Sequence, residues 1–270
     1  MTSLLKKIKQ FFTLYKKPVL PYLETHLTDH CNLNCKACNH FCPISEEKYW
    51  DVEQFECSLK EIATKFTIEK LRLLGGEPLL HPDVIKFIKK SREILPKTDI
   101  RIVSNGILIK TMPDEFWTEC KNNNITIDIS QYPPMQEKIP CIIEYIEQKG
   151  CKVGFINPIS KFWLTLNKDG SSDIKQAFDD CQEFRNCLTL YNQKIYKCPI
   201  GAYIHKYNNH FQESIPEEPG ISTEKTAKEI VNYINVPMET CRYCSMPENK
   251  WDNCYWEVSK KEKDEWFIKQ

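Results

Sequence analysis

Between residues 22 and 156 the chain alternates short apolar segments with longer ones in which apolar residues recur at helical spacing. Residues 22–28, 71–74, 99–103, 125–130 and 152–156 read as strands, with 162–166 a candidate sixth. Residues 51–66, 82–95, 113–122 and 140–148 read as helices, and in the first of them Val52, Phe55, Leu59 and Ile62 are candidate core positions. Strands alternating with helices of 10–15 residues imply βαβ crossovers and a parallel sheet. Ligands in such sheets sit beyond the carboxyl ends of the strands. The segments that follow the expected strands are therefore the places to look for chemistry.

The first strand end leads into Cys31, Cys35 and Cys38, a C-x3-C-x2-C spacing that lets one short loop turn three thiolates toward a single point. Iron–sulfur clusters are held by cysteine thiolates, usually four, so three protein ligands leave one iron open to a cofactor or substrate. Cys42, His30 or His40 offers a fourth ligand, which would instead make a closed tetrahedral zinc site. The second strand end carries Gly75, Gly76, Glu77 and Pro78. Two glycines let the backbone approach a ligand closely or take positive φ, and the proline fixes the exit direction. Ser104 and Asn105 follow the third strand and Ser130 ends the fourth; taken alone, Asn105-Gly106 is a turn dipeptide.

The cysteine loop and the Gly-Gly-Glu-Pro turn, in this order, resemble the radical SAM superfamily. The resemblance implies an α/β fold built on a partial (β/α)6 TIM-like barrel. It also implies a [4Fe–4S] cluster on Cys31, Cys35 and Cys38 whose open iron chelates S-adenosylmethionine. Gly75, Gly76, Glu77 and Pro78 would bind the methionyl amino group, and Ser104, Asn105 and Ser130 would give polar contacts to ribose and carboxylate. The residue before the third cysteine is usually aromatic in this family, whereas here it is Ala37. Adenine packing is then expected from Phe41 or His40. By resemblance, flavodoxin or ferredoxin supplies one electron, and S-adenosylmethionine is cleaved to methionine and a 5′-deoxyadenosyl radical. That radical abstracts hydrogen from substrate. The cofactor carries the hard chemistry while the protein positions and shields it.

Fourteen cysteines in 270 residues, with no secretory signal visible, point to metal or redox chemistry in a reducing, cytoplasmic setting. Zero formal net charge gives no support for a nucleic-acid partner. No apolar run is long enough to span a bilayer. Residues 3–16 read as an amphipathic helix, with Leu4, Leu5, Ile8, Phe11, Phe12 and Tyr15 on one face among lysines. Such a helix packs on its own domain or makes peripheral contact with an anionic membrane, and packing is the commoner outcome.

Beyond residue 170 the pattern changes. Residues 188–191 and 194–197 flank Asn192-Gln193 as a hairpin with a tight turn, and 223–234 read as a helix leading to Cys241-x2-Cys244. This arrangement resembles the twitch domain, the short form of the SPASM module, and so implies a second, auxiliary [4Fe–4S] cluster. Gln193 stands where that pattern has glycine. Cys198, Cys241 and Cys244 are the expected ligands, Cys181 and Cys187 compete for the fourth place, and Cys254 is weaker. A zinc ribbon is the alternative. Cys57, Cys120, Cys141 and Cys151 read as buried thiols behaving as small hydrophobes. The expected organisation is an N-terminal helix (1–20), a core (21–170) and an auxiliary-cluster domain (171–270).

The short auxiliary module favours a small-molecule substrate, such as a sugar or nucleotide-sugar, with the second cluster supporting net oxidation. Trp163, Tyr132, His81 and Tyr203 are candidates for lining such a site. Peptide or protein maturation is the alternative, and a non-catalytic metal-binding redox protein is a reading from a different class.

Overall fold

A computed structural model describes residues 17–181, 187–245 and 253–268. The expected helix at 3–16 lies outside the described residues. Among the described residues no helix is long and apolar enough to cross a membrane.

Two short strands, β1 (Val19–Leu20) and β3 (Thr67–Ile68), pair in parallel as a separate ribbon. Five others follow one another in parallel: β2 (Leu23–His26), β4 (Lys70–Leu74), β5 (Asp99–Ser104), β6 (Thr126–Gln131) and β7 (Lys152–Pro158). Strand periodicity separates two faces. Leu71, Leu73, Ile100, Ile102, Ile127 and Ile129 are buried on one face, in the same core as residues of the helices. Arg72, Arg101 and Asp128 alternate with them and therefore stand on the opposite face, where both arginines pair with Asp128. The crossover helices are α1 (Val52–Lys65), α2 (Val84–Ile94), α3 (Asp114–Asn122) and α4 (Ile139–Gln148). α1 starts where the Asp51 side chain accepts the Gln54 amide at 2.8 Å, a cap of about 1 kcal/mol. Its Phe55, Leu59 and Ile62 are fully buried, while Val52 is partly so. Each such side chain contributes roughly 1.5–3 kcal/mol.

The sheet is continuous with the C-terminal region. β9 (Thr189–Tyr191) lies parallel to β2, pairing Glu24 with Thr189 and Thr25 with Leu190. β10 (Lys194–Tyr196) and β11 (Ile221–Ser222) extend it antiparallel, giving eight strands with β11 and β7 at the edges. The β9–β10 turn has Asn192 at φ 48° and Gln193 at φ 61°. Both central residues are left-handed, as a type I′ hairpin requires, without any glycine. α6 (Pro199–Phe211) was not expected from sequence. Its signal is Pro199 at the first helical position, with the Cys198 side chain accepting from the Gly201 amide. The helix expected at 223–234 runs as α7 (Ala227–Ile234), starting at a Thr226/Glu229 capping box. α5 (Ile174–Asp180) precedes the hairpin.

The candidate sixth strand at 162–166 does not join this sheet. β7 ends at Pro158, and β8 (Lys161–Trp163) pairs antiparallel with β12 (Asn253–Tyr255) instead. A second core gathers Phe41, Tyr203, Tyr207 and Trp266. Cys120 and Cys151 are buried and hydrogen-bonded to each other, whereas Cys57 and Cys141 are exposed, contrary to expectation. Cys57 stands on the solvent side of α1, and Cys141 in the first turn of α4 donates to the Lys138 carbonyl.

Candidate cluster and cofactor site

The loop after β2 is stitched to the Gly-Gly turn by its backbone. The Leu27 amide donates to Leu74, that of Gly76 to Thr28, and that of Glu77 to His30. A Cβ on Gly75 would stand 2.5 Å from the Thr28 carbonyl oxygen, and one on Gly76 would overlap the His30 carbonyl. Glycine is needed here because the cysteine loop itself lies against the turn. Asn34, Ala37 and Phe41 adopt φ of 49°, 58° and 55°. These left-handed kinks wind the loop so that Cys31, Cys35 and Cys38 line one cavity of about 140 Å³.

Gly75, Gly76, Ser104, Asn105 and Ser130 line the same cavity; Glu77 and Pro78 do not. The Glu77 carboxylate is buried and turned into the fold. It accepts from the Ser104 hydroxyl and the Asn105 amide, both at 2.9 Å, and from the Leu79 amide at 3.2 Å. Burial pushes it up to about 7 despite these donors. Its observed role is to tie the turn to the end of β5. Asn105 in turn points its amide nitrogen at Asn32 Oδ1, 2.7 Å away, and at Cys31 Sγ, 3.7 Å away.

Phe41 is not part of the cavity wall. Its left-handed backbone caps a short 3-10 turn at Cys42–Ile44, and its ring is buried against Tyr207 and Trp266. His40 does line the cavity, as do Tyr132 and Phe162, whose rings stack 5.9 Å apart at 12°. Tyr132 was among the residues suggested for such a site, whereas Phe162 was missed because β8 carries no motif. Of the other suggested substrate residues, His81 is fixed between the Trp50 carbonyl and the Asp83 amide. Tyr203 is buried on His26, and Trp163 lies half-exposed outside the cavity.

The thiols are poised differently. Burial pushes Cys31 up to about 12 and raises Cys35 as well. A hydrogen bond from the Cys42 thiol, with backbone amides, pulls Cys38 below the usual thiol range. Desolvated thiolates of this kind need a cation to hold them. Among the described residues no three Cys, His, Asp or Glu side chains could hold a single metal ion. The His30 ring packs edge-on against Tyr49, and His40 Nε2 faces Glu24 at 3.9 Å. Three soft thiols around a shared cavity have the ligand chemistry of an iron–sulfur cluster.

Behind the loop, Asp29 receives Tyr191 Oη at 2.9 Å, Lys206 Nζ at 3.0 Å and His26 Nδ1 at 3.4 Å. Burial alone would raise this carboxyl, but the His26 hydrogen bond and the Lys206 charge hold it well below its ordinary value. Since Tyr191 lies on β9 and Lys206 on α6, the network ties the cysteine loop to the C-terminal region.

There, Cys181, Cys198, Cys241 and Cys244 line one apolar cavity of about 110 Å³. They come from the end of α5, the cap of α6 and the 3-10 turn at Glu239–Tyr243. Cys187 stands outside it, beside Glu24, and burial raises its thiol to about 12. Cys254 lies on β12 opposite Phe162, also away from that cavity.

Comparison with known proteins identifies the family. The family model for the radical SAM superfamily matches residues 25–139. A GTP 3′,8-cyclase of Clostridium botulinum (strain Okra / Type B1) is 32% identical over 251 residues, covering 83% of this chain and 75% of that one. The chain belongs to the radical SAM superfamily. It is accordingly an enzyme that uses a [4Fe–4S] cluster and S-adenosylmethionine. A GTP 3′,8-cyclase of Petrotoga mobilis is 34% identical over 92 residues, where the match spans only 28% of the relative's length. Among solved structures, BtrN in complex with AdoMet and 2-DOIA superposes with a TM-score of 0.55 at 11% identity. That superposition covers 86% of this chain and 94% of BtrN, so the two share a fold over nearly their whole lengths.

Proposed function

We propose that this chain is a two-cluster radical SAM oxidoreductase acting on a small polar molecule, such as a sugar or nucleotide-sugar. Cys31, Cys35 and Cys38 would hold the core cluster, and Cys181, Cys198, Cys241 and Cys244 an auxiliary one. When bound, the core cluster and S-adenosylmethionine supply the radical that takes hydrogen from an unactivated C–H bond, and the auxiliary cluster supplies an acceptor for the electron left on substrate.

The chain's own residues position and shield. The Gly75–Gly76 backbone, Ser104, Asn105 and Ser130 are offered as polar contacts to the cofactor. Tyr132 and Phe162 form the apolar platform beside them. Glu77 keeps the turn in register with β5. An electron donor of the flavodoxin or ferredoxin type completes the cycle. The proposed domain division places the core at 21–170 and the auxiliary module at 171–270, joined through β2 and β9.

The observation that carries this reading is the pair of separate cavities, one lined by three expected ligand cysteines and the other by four. Four cysteines complete the usual ligand set of a [4Fe–4S] centre and leave no iron for substrate. A closed centre suits electron transfer better than substrate anchoring. Nucleotide cyclisation is a second reading, supported by the GTP 3′,8-cyclase of C. botulinum, of which this chain matches 75%.

The test is iron and sulfide per chain after anaerobic reconstitution, for the wild type and a Cys31/Cys35/Cys38→Ala variant. About eight irons falling to about four is expected for two such centres. About four falling to none would remove the auxiliary cluster and with it the net-oxidation mechanism.

A further inference from the structure

The residues after β12 form a strap across the cysteine loop. The Lys36 amide donates to the Glu257 carbonyl at 2.9 Å, and the Ser259 amide to that of Asn34 at 2.8 Å. Cys35 bridges to Val258, and Lys36 Nζ pairs with Glu257 Oε2 at 2.8 Å. Two tryptophans of this C-terminal stretch reach into the loop. Trp266 Nε1 donates to the Cys38 carbonyl at 2.9 Å, whereas Trp256 Nε1 donates to the Cys35 sulfur itself at 3.1 Å. The Trp256 backbone is held as well, its amide donating to Ser160 at 2.9 Å.

Each thiol of the trio has its own nearby donor: Asn105 for Cys31, Cys42 for Cys38 and Trp256 for Cys35. Only the third comes from the far end of the chain. Hydrogen bonds to sulfur are among the factors that set the reduction potential of a cluster.

We propose that Trp256 is a positioning residue whose indole N–H, aimed at Cys35 Sγ, raises the reduction potential of the core cluster. This rests on Cys35 being a ligand of that cluster. Reduction adds one negative charge, shared with the thiolates, and the N–H dipole favours the charge-rich state over the oxidised one. No proton is transferred. The strap thus makes the first electron easier to accept, and the end of the chain contributes to the chemistry of its beginning.

The test compares full-length wild type, Trp256→Phe and Trp266→Phe after anaerobic reconstitution with iron and sulfide. Midpoint potentials are read by EPR-monitored titration of the signal that disappears in the Cys31/Cys35/Cys38→Ala chain. Trp256→Phe keeps the ring and removes the donor. It should retain wild-type iron content and shift the one-electron equilibrium about tenfold toward the oxidised cluster, a lowering of about 59 mV. Trp266→Phe, which loses a bond to a carbonyl rather than to sulfur, should leave the potential unchanged. Equal potentials in wild type and Trp256→Phe would overturn the proposal, as would equal shifts in both variants, since loop packing would then be the cause. Loss of iron from Trp256→Phe would also overturn it, because the indole would be a fixture of the loop. If the triple alanine chain loses no iron, the ligand assignment itself falls, and this inference falls with it.

Discussion

Replacing Glu77 by glutamine tests the load on the Gly-Gly-Glu-Pro turn. One carboxylate oxygen accepts from Ser104 Oγ and the Leu79 amide, the other from the Asn105 amide. A glutamine has one acceptor oxygen, so either rotamer sets its NH2 against a buried backbone N–H. Leaving that donor without a partner costs about 1–3 kcal/mol. The penalty should depend on pH. Burial raises Glu77 to about 7 from an ordinary 4.5. A carboxyl raised on folding binds its proton more tightly in the native state, so wild-type stability is fully present below pH 4.5 and is lost as pH rises toward 7. At about 1.36 kcal/mol per unit the loss is on the order of 3 kcal/mol. Glutamine does not titrate and lacks this decline. The gap between wild type and Glu77→Gln should therefore be widest near pH 5 and close or reverse by pH 8. Glu24, also raised by burial to about 7, is present in both chains and cancels in the difference. Equilibrium urea unfolding under anaerobic, reducing conditions at pH 5, 6, 7 and 8 reads the gap. A gap that stays constant or widens with pH would refute the argument that Glu77 is desolvated.

Gly76→Ala places a methyl group onto the His30 carbonyl and 2.8 Å from the Cys31 amide, where no flexible side chain can yield. It should cost at least the roughly 1–3 kcal/mol typical of overpacking and lower iron retention; a wild-type urea midpoint and iron content would contradict it. Cys181→Ser should remove the auxiliary iron while Cys187→Ser retains it, because only Cys181 lines the cavity with Cys198, Cys241 and Cys244. Iron analysis of the two variants decides, and the reverse pattern would reassign the fourth ligand. Tyr132→Ala strips one ring from the pair it forms with Phe162. By analogy with base–aromatic stacking it should weaken S-adenosylmethionine binding by about 1–3 kcal/mol, measurable by calorimetry on the reconstituted protein.

What could be read from the sequence is local. Cys31, Cys35 and Cys38 are legible because a fixed spacing after a strand leaves a loop few ways to run, and the alternation of strands and helices supplies the sheet order. Phe55, Leu59 and Ile62 are legible for the same reason, as one face of a single helix. Choosing between Cys181 and Cys187 was beyond spacing, since the answer depends on how α5 packs against the turn at Glu239–Tyr243. Phe41 misled because an aromatic beside the cluster loop looks available for adenine, while its left-handed backbone turns the ring into the second core. The strap was the least legible part, yet the loop's own irregularity calls for something like it. Three left-handed residues between Cys31 and Cys42 prevent a regular hydrogen-bond ladder within the loop. Backbone groups withdrawn from water need partners nonetheless. The Asn34 carbonyl and the Lys36 amide find theirs on Ser259 and Glu257, more than two hundred positions away along the chain. A loop bent enough to gather three thiols cannot also satisfy its own backbone, so its support has to come from elsewhere in the fold. Here it comes from the strap that also brings Trp256 to Cys35.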